Sequence, residues 1–477
     1  MSRAQRDRET SFIFIASYFI MSRYPLGLFD KGGTSMQREA LTLAIEALSW
    51  MELRRINERL ALRRTARQLG IRNKSAIRYA FRLIMETTRR RNVVDNITTQ
   101  ALGQKKFDDL SLGIRSFLRI YTYEVKYGEK SLQEVQDIAS LAREILGPRE
   151  LAPVEEALDL IPYSEICLEG LPDDEVLALR TFHPAWYVRY CVDLLGRRDT
   201  IQLLRAPDPP TYVRINSLMG TEEEILENLR REGVELAEIG LEHAFWVVDR
   251  SRPLNLIEAY REGLFTVQDK ASILAGVVAA PEPGMTVLDV CAAPGAKTGH
   301  LSQLMENRGQ ILSLDFSKRR FEIWRREMVR LGVENAVSVL GDALKPEAFP
   351  DVQADLVLVD PPCTGTGTFN RIPSGKWRLS RRSIDRMASI QRRILDNCAE
   401  HVKAGGSLVY CTCSITKEEN EMVIQGFMHA NPGFYLVEAN PRLGLPGMID
   451  QSEAQRLYPH IHRCNGFYLA RLEKALD

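Results

Sequence analysis

The sequence predicts a doubly wound α/β domain at the C-terminal side, preceded by a small α+β module and an all-helical N-terminal domain. From about Gly263 onward, short apolar strands alternate with amphipathic helices, the pattern of a largely parallel sheet. Residues 36–165 show only helical apolar spacing. Hydrophobic residues make up 45% of the chain and charged residues 26%. This composition is typical of globular proteins and excludes a disordered, collagen-like or fibrous chain.

The 477 residues predict about three domains, at roughly 150 residues per domain. Shifts in composition and pattern divide the chain into four regions. They are a leader of uncertain status (residues 1–35), a helical domain (36–165), linker helices with the small α+β module (166–262) and the α/β domain (263–477).

The first residues do not predict a membrane anchor. The apolar run Phe12–Met21 is about half the length that spans a bilayer, and no small-residue cleavage site follows it. Met36 begins the helical pattern, so we expect residues 1–35 to be dispensable or wrongly included. Eight cysteines in 477 residues are too sparse for a disulfide scaffold. We therefore expect a cytoplasmic protein that does not act at a membrane.

The helical region carries a concentrated positive charge. Met51–Arg91 holds thirteen Lys or Arg and three Asp or Glu, a local charge of +10 in a chain of zero net charge. Gly70 and Asn73 predict the end of one helix and the start of the next. Charge runs usually form a solvated helix face, but this excess favours contact with nucleic acid. The candidate phosphate-binding residues are Arg54, Arg55, Arg63, Arg64 and Arg67.

The charge then reverses before the small module begins. A predicted helix, Leu132–Leu146, ends at Gly147-Pro148, and residues 150–175 contain nine acids and no Lys or Arg. We interpret this stretch as a linker or a solvated helix face. A helical run over residues 181–205 follows. The small module is then predicted from a strand, a helix and a second strand, at residues 211–216, 222–232 and 245–248.

In the α/β domain the predicted strands are Thr286–Val290, Gln310–Asp315, Ala336–Leu340, Leu356–Val359 and Ser407–Cys411. Predicted helices lie between them at Thr298–Met305, Lys318–Leu331 and Arg382–Val402. Ligands of such sheets bind at the carboxyl ends of the strands. The residues that follow these strands are therefore the candidates for binding and chemistry.

The first three strand ends predict a nucleoside-binding site. The first strand leads into a loop of small residues before a helix N-terminus, which lets a ligand approach the backbone closely and favours a carboxylate or phosphate. Asp315 ends the second strand, where an acid binds ribose hydroxyls, and Asp342 at the third could read an adenine amino group. The chain lacks a Gly-Lys-Ser/Thr phosphate loop, so a nucleoside triphosphate fits poorly. The loop residues are Cys291, Ala292, Ala293, Pro294, Gly295, Ala296 and Lys297.

The fourth and fifth strand ends each carry a cysteine. Asp360-Pro361-Pro362-Cys363 follows one strand and Thr412-Cys413-Ser414 follows the other. Because these ends should be neighbours in a parallel sheet, two thiols and a carboxylate are expected to converge. Simple burial is the alternative for any cysteine, and it suits Cys167, Cys191 and Cys398 better. A metal site at Cys411 and Cys413 is disfavoured, since no second Cys pair or Cys/His cluster accompanies them.

These residues resemble the Nop/Sun family of S-adenosylmethionine-dependent RNA cytosine-5 methyltransferases over about residues 180–475. The basic helical region is similar to the NusB-like domain of bacterial-type members. Two departures are Ala296, where Gly is usual, and Asn465, where Asp is common. The matching pieces are His183-Pro184 with Trp186, Arg214-Ile215-Asn216, residues 268–272, the loop from Cys291 to Lys297, Asp315, Asp342, Asp360 to Gly365, Thr412-Cys413-Ser414 and Gly466-Phe467-Tyr468.

The resemblance implies a Rossmann-like methyltransferase domain and a covalent mechanism. It assigns Cys413 as the nucleophile that adds to carbon 6 of cytosine. Asp360 would bind the base edge and help to protonate ring nitrogen 3. Cys363 would act in loss of the carbon 5 proton, as base or as organiser of one. Lys297 would orient Asp360 or favour the thiolate. The loop from residue 291, Asp315, Asp342 and Asp360 would hold S-adenosylmethionine.

RNA is the expected partner, and no obligate protein partner is inferred. Residues 371–393 contain eight Lys or Arg, one acid and Trp377. We interpret this run as a groove for the substrate strand, with a solvated helix start as the alternative. Arg214 in the small module is a further candidate for RNA contact. Ribosomal RNA is favoured as substrate because the helical domain resembles the bacterial arrangement, and transfer RNA is the alternative.

Three rival functions explain the residues less well. A DNA cytosine-5 methyltransferase would use the Pro-Cys cysteine, Cys363, as nucleophile and would not need Cys413. An amino-group methyltransferase would carry an aromatic residue after Asp-Pro-Pro. A non-catalytic RNA-binding protein would account for the basic helices, but it would not need both thiols and the cofactor acids.

Overall fold

The computed structural model describes residues 34–476, which form two compact units. One unit contains residues 34–200 and Ile372–Arg378, and the other contains Ile201–Arg371 with the chain from Leu379 onward. The expected leader, residues 1–35, lies outside the described residues except for its last two. Between residues 34 and 476, no helix combines the length and apolar character needed to cross a membrane.

The first unit is helical, as the apolar spacing predicts. The α2–α3 junction confirms the predicted break: Gly70 ends α2 with a φ of 68°, and the Asn73 side chain accepts hydrogen bonds from the first backbone N–H groups of α3. The helices are α1 (Thr34–Arg54), α2 (Glu58–Leu69), α3 (Lys74–Arg89), α4 (Arg91–Leu102), α5 (Leu112–Tyr127), α6 (Leu132–Leu146), α7 (Pro148–Leu151), α8 (Glu155–Leu160), α9 (Asp173–Thr181) and α10 (Ala185–Leu204, interrupted at Gly196).

A short helix from late in the sequence, Ser374–Arg378, completes this unit. The Ser374 backbone N–H donates to the Glu58 carboxylate at 2.6 Å, and the Trp377 indole N–H donates to the Thr88 carbonyl at 2.5 Å. The part of the basic run from Ile372 to Arg378, with Trp377, therefore belongs to the helical unit, whereas the sequence assigns the whole run to a substrate groove.

The second unit begins with the small α+β module. Its antiparallel sheet has the order β2-β3-β1-β4, and α11 packs beside β2. The strand–helix–strand prediction is confirmed, while β2 and β4 add two strands that the sequence pattern did not predict. The elements are β1 (Tyr212–Ile215), α11 (Glu222–Arg231), β2 (Val234–Glu238), β3 (Ala244–Arg250), α12 (Glu258–Arg261) and β4 (Phe265–Val267).

The larger sheet is the predicted doubly wound one, extended by antiparallel strands from the C-terminal region. Its order is β11-β12-β13-β9-β8-β5-β6-β7, with β10 paired to β13, and β5 to β9 run parallel. The elements are α13 (Lys270–Ala279), β5 (Thr286–Val290), α14 (Ala296–Leu304), β6 (Gln310–Asp315), α15 (Lys318–Arg330), β7 (Ala336–Leu340), β8 (Ala354–Val359), α16 (Arg381–Ala399), β9 (Val402–Thr412), α17 (Glu421–Ala430), β10 (Phe434–Val437), β11 (Leu445–Pro446), β12 (Gln455–Leu457), α18 (Pro459–His462) and β13 (Phe467–Lys474).

The topology decides which loops meet. Strands β8 and β9 are hydrogen-bonded neighbours with Val359 opposite Tyr410, so the residues that follow them leave the sheet side by side. Strand β5 lies on the other side of β8 and brings its loop to the same edge. The central strands are mostly apolar and buried on both faces, as expected of a sheet covered by helices.

Candidate active site

The two predicted thiols meet at the carboxyl edge of the sheet. The Sγ atoms of Cys363, after β8, and Cys413, after β9, lie 3.0 Å apart, and both residues are partly exposed. The backbone also joins the two loops, because the Gly367 N–H donates to the Cys413 carbonyl at 3.0 Å. The predicted convergence of the two strand ends is confirmed.

A carboxylate and an ammonium group complete this arrangement. Lys297 Nζ, in the first turn of α14, donates to Asp360 Oδ2 at 2.6 Å, and Cys411 Sγ lies 3.9 Å from Asp360 Oδ1. Burial by itself would lower the pKa of Lys297, but Asp360, Cys411 and Asp289 outweigh it and raise this pKa. Lys297 is therefore a fixed positive charge beside Asp360.

The protonation of Cys363 is set by its neighbours. Its hydrogen bond with Cys413, the loss of solvation, and the negative charges of Glu419 and Asp360 raise the pKa of the Cys363 thiol well above its ordinary value. Cys363 is consequently a neutral thiol near pH 7 in this structure. Such a group can donate a hydrogen bond to a partner that carries charge.

The small-residue loop after β5 is held by Asp315 at the end of β6. The Asp315 carboxylate accepts hydrogen bonds from the backbone N–H groups of Ala293 at 3.2 Å and Ser317 at 2.9 Å. Gly295 has a left-handed φ of 109°, and a Cβ there would lie 2.9 Å from the Trp324 ring of α15. Only glycine fits this close approach of the loop to α15.

Asp342 lies at the end of β7, next along the same edge. Its side chain accepts a hydrogen bond from the Leu344 backbone N–H at 3.1 Å, and the Gly341 N–H donates to the Asp315 carbonyl at 3.1 Å. The three predicted cofactor-binding strand ends are therefore consecutive in the sheet order β5-β6-β7.

Asp289, inside β5, is an acid that the sequence analysis did not select. It is fully buried; Oδ2 accepts from the Thr298 hydroxyl at 2.6 Å, and Oδ1 has no hydrogen-bond partner among residues 34–476. Burial is the main cause that raises the pKa of Asp289 to about 7. An acid within the apolar strand Thr286–Val290 was the available signal.

The structure contradicts the prediction that Arg214 contacts RNA. Arg214 is only 1% exposed, its Nε donates to Gln268 Oε1 at 2.9 Å, and its guanidinium also contacts Gln303 of α14. Burial lowers the pKa of Arg214 to about 9. Because strand β1 is buried at every position, this side chain links the small module to the larger sheet domain instead of facing a ligand.

The five arginines selected in the helical unit are all exposed, as phosphate contacts require; they are Arg54, Arg55, Arg63, Arg64 and Arg67. The Arg64 guanidinium stacks over the Trp50 ring at 3.9 Å. Trp377 belongs to the same unit and uses its indole N–H internally. Contact of these residues with RNA stays a prediction.

A second group missed by the sequence analysis lies six to eight residues after Cys413. Glu419, Asn420 and Glu421 are fully buried, although a run of acids and amides ordinarily predicts a solvated helix start. Glu421 forms a buried ion pair with Arg456, and Asn420 donates to the Ser414 carbonyl at 2.9 Å. The sequence signal for this group was the number of polar residues in the segment that follows the cysteine motif.

Comparisons with known proteins identify the relatives of this chain. Residues 276–473 match the family described as 16S rRNA methyltransferase RsmB/F. The probable ribosomal RNA small subunit methyltransferase B of Bacillus subtilis is 30% identical over 380 residues, covering 75% of this chain and 82% of that protein. The tRNA (cytosine(72)-C(5))-methyltransferase of Pyrococcus horikoshii is 36% identical over 227 residues, covering 47% of this chain and 56% of that protein.

Solved structures share the fold. The crystal structure of PH0851 superposes with a TM-score of 0.79 at 29% identity, covering 92% of this chain and 99% of that one. NSun6 from Pyrococcus horikoshii, solved with SFG, superposes with a TM-score of 0.57 at 25% identity, covering 62% of this chain and 99% of that one. The predicted fold class is thereby confirmed.

Proposed function

Because the chain belongs to the 16S rRNA methyltransferase RsmB/F family, we propose that it transfers a methyl group to carbon 5 of a cytosine in ribosomal RNA. The observation that carries the proposal is the 3.0 Å approach of two thiols from neighbouring strand ends, beside the Lys297–Asp360 ion pair. A base held at this edge would face two sulfur atoms, a carboxylate and a fixed cation at once.

S-adenosylmethionine is the cofactor of this family and supplies an electrophilic methyl group. Two observations fit it to the edge formed by β5, β6 and β7. Gly295 lets the backbone before α14 turn without a side chain, and the buried Oδ1 of Asp289 has no hydrogen-bond partner within the described chain. We assign the loop of residues 291–297, with Asp315 and Asp342, to hold the cofactor.

Cys413 is the proposed nucleophile. Carbon 5 of cytosine is a weak nucleophile, and addition of a thiolate to carbon 6 converts the ring into an enamine that accepts a methyl group at carbon 5. Cys413 is partly exposed at the end of the strand and has Cys363 as its sulfur neighbour. That neutral thiol can donate a hydrogen bond to the Cys413 sulfur when it carries charge.

Asp360 and Lys297 are proposed to stabilise the negative charge that develops on the base. As the thiolate adds to carbon 6, negative charge develops at ring nitrogen 3, where Asp360 in its protonated form would donate its proton and become the carboxylate that pairs with Lys297. The Lys297 ammonium, 2.6 Å from Oδ2, fixes the orientation of this carboxylate. The other oxygen of Asp360, Oδ1, has the long contact of 3.9 Å with Cys411 Sγ and can accept a further hydrogen bond from the base edge.

Cys363 is proposed to act in the last step. After methyl transfer, the proton on carbon 5 must leave and the bond between carbon 6 and Cys413 must break. Cys363 lies in contact with the sulfur that is expelled, so it can pass its own proton to that sulfur and take the carbon 5 proton in exchange, or organise a group that takes it. The raised pKa of Cys363 suits this role, because the residue ends the step as a neutral thiol.

The substrate assignment rests on the relatives and on charge. The Bacillus subtilis relative matches 75% of this chain and is named for ribosomal RNA, whereas the transfer RNA enzyme matches 47% of it. We propose that the five exposed arginines selected in the helical unit neutralise phosphates of the substrate, and that the target base is unpaired or extruded for access. All eight cysteines are free, which suits a reducing compartment, and we propose a cytoplasmic location.

Bisulfite sequencing of total RNA tests this proposal. We expect one cytosine of small-subunit ribosomal RNA to lose its methylation in a deletion strain and to regain it when the wild-type chain is restored. Restoration with the Cys413→Ala variant should leave that cytosine unmethylated. Loss of methylation at a transfer RNA position would establish the alternative substrate. Identical profiles with and without the chain would refute cytosine methylation.

A further inference from the structure

A buried carboxylate lies behind the two thiols. Glu419 is 0% exposed and accepts hydrogen bonds from five donor groups. We call Glu419 together with these donors the Glu419 cluster. The donors are the Thr364 backbone N–H at 2.8 Å, Gln391 Nε2 at 3.0 Å, the Ser414 hydroxyl at 2.7 Å, the Thr416 hydroxyl at 2.7 Å and the Thr364 hydroxyl.

The donors come from both cysteine loops. Thr364 directly follows Cys363, and Ser414 directly follows Cys413. The same carboxylate therefore holds the residue next to each thiol. Gln391 of α16 strengthens this link, because its amide donates to Glu419 and also to the Pro362 carbonyl at 2.9 Å, just before Cys363.

The cluster differs from the neighbouring buried acid. Glu421 is paired with the Arg456 guanidinium, so its charge is compensated by a cation. Glu419 is held by hydroxyl and amide groups, which satisfy its oxygens and keep them in fixed directions. Burying a carboxylate among neutral donors is costly, and every donor here lies on or beside a cysteine loop. Fold stability alone gives no reason for that distribution.

We propose that Glu419 is a positioning residue that fixes the Cys363 and Cys413 loops against each other. It does not reach the reacting atoms itself. By holding Thr364 and Ser414, it keeps the two thiols directed toward one cytosine. This inference rests on the proposed methyltransferase function and adds a residue to which that function assigns no role.

Glu419→Gln is the direct test, since it keeps the length of the side chain and removes its charge and part of its accepting capacity. We expect kcat for RNA methylation to fall about 100-fold, the loss that a displacement of about 1 Å can cause. KM for RNA and the S-adenosylmethionine affinity measured by calorimetry should stay within about twofold of wild type. Yield of the covalent adduct with 5-fluorocytosine RNA should fall in parallel with kcat.

Glu418→Gln is the matched control. Glu418 is the adjacent acid in the chain, and its carboxylate forms an ion pair with the exposed Arg381 at 2.9 Å. We expect this variant to keep wild-type kcat and adduct yield. A Glu419→Gln enzyme with wild-type kcat, or with a changed KM and unchanged kcat, would overturn the positioning role.

Thr364→Val provides a second route if Glu419→Gln does not fold. It removes one hydroxyl donor at nearly constant volume and leaves the carboxylate buried. We expect a smaller fall in kcat, about tenfold, with KM unchanged, since roughly one hydrogen bond to a charged group is lost. Wild-type kcat in Thr364→Val would also overturn the proposal. A wild-type chain without cytosine methylation would instead refute the proposed function, so the two failures are distinguishable.

Discussion

The Sγ atoms of Cys363 and Cys413 lie 3.0 Å apart, although the two residues are separated by 50 positions in the sequence. At this distance either sulfur could reach a base bound at the same strand ends. Position alone therefore does not select the nucleophile. The proposed assignment relies on the family resemblance and on the raised pKa of Cys363, which keeps that thiol protonated.

Replacing each thiol in turn should give opposite results. We expect Cys413→Ala to bind RNA and S-adenosylmethionine but to form neither methylated product nor covalent adduct. Cys363→Ala should still add to carbon 6 and transfer the methyl group, yet release product poorly, because the carbon 5 proton has no efficient acceptor. A denaturing gel should show this variant joined to methylated RNA. An adduct with Cys413→Ala and none with Cys363→Ala would reverse the two roles.

Asp315→Ala should weaken cofactor binding. The carboxylate holds two backbone N–H groups of the cofactor edge, and hydrogen bonds to a charged group contribute about 1.5–3 kcal/mol each. We expect the dissociation constant for S-adenosylmethionine, measured by calorimetry, to rise about 10- to 100-fold. Asp351→Ala is the control, because Asp351 is exposed and lies before β8, outside the loops that we assign to the cofactor. Equal affinities in the two variants would remove Asp315 from the site.

The exposed arginines of the helical unit should control the salt dependence of RNA binding. We expect replacement of all five by Ala to reduce the slope of log affinity against log salt by about 4, since each phosphate contact contributes a little under one counterion. Cofactor affinity should not change. The control replaces Lys106 and Arg149, exposed in the same unit, and should keep the wild-type slope. The five residues are Arg54, Arg55, Arg63, Arg64 and Arg67. An unaltered slope would indicate that these arginines form a solvated helix face and do not contact phosphates.

The buried Lys376 should make the stability of the folded protein depend on pH. Its side chain is buried, and burial together with Arg89 and Arg90 lowers its pKa to about 7, below the ordinary value near 10.5. Between about pH 7 and pH 10 the unfolded state binds a proton that the folded state does not, so stability from this residue rises with pH in that interval. At pH 7 and below, the folded chain carries the full cost of a buried cation.

Lys376→Met removes that cost. We expect the melting temperature at pH 6.5, followed by calorimetry, to rise by at least about 2 °C. The difference from wild type should shrink as the pH approaches 10. Lys376→Arg retains a buried charge that cannot be released, and it should lower the melting temperature. A constant difference between Lys376→Met and wild type from pH 6.5 to 10 would contradict the lowered pKa.

Local patterns in the sequence determined the strands β5 to β9 and the residues that follow them. The helix break at Gly70 and Asn73 was equally readable, because capping depends on neighbours within one turn. The strand ends that carry Gly295, Asp315 and Cys413 follow the same rule, since apolar runs and turn residues identify them without reference to the rest of the chain.

Only the tertiary structure decided what lies around those residues. Arg214 was predicted to contact RNA, but the packing of β1 buries it, and the sequence analysis did not select Glu419, which the cysteine loops enclose. The antiparallel strands β10 to β13 and the packing of Trp377 in the helical unit also depend on contacts between residues far apart in sequence. A charged side chain carries no local mark of burial, because its donors and ion-pair partners arrive only when distant segments fold together.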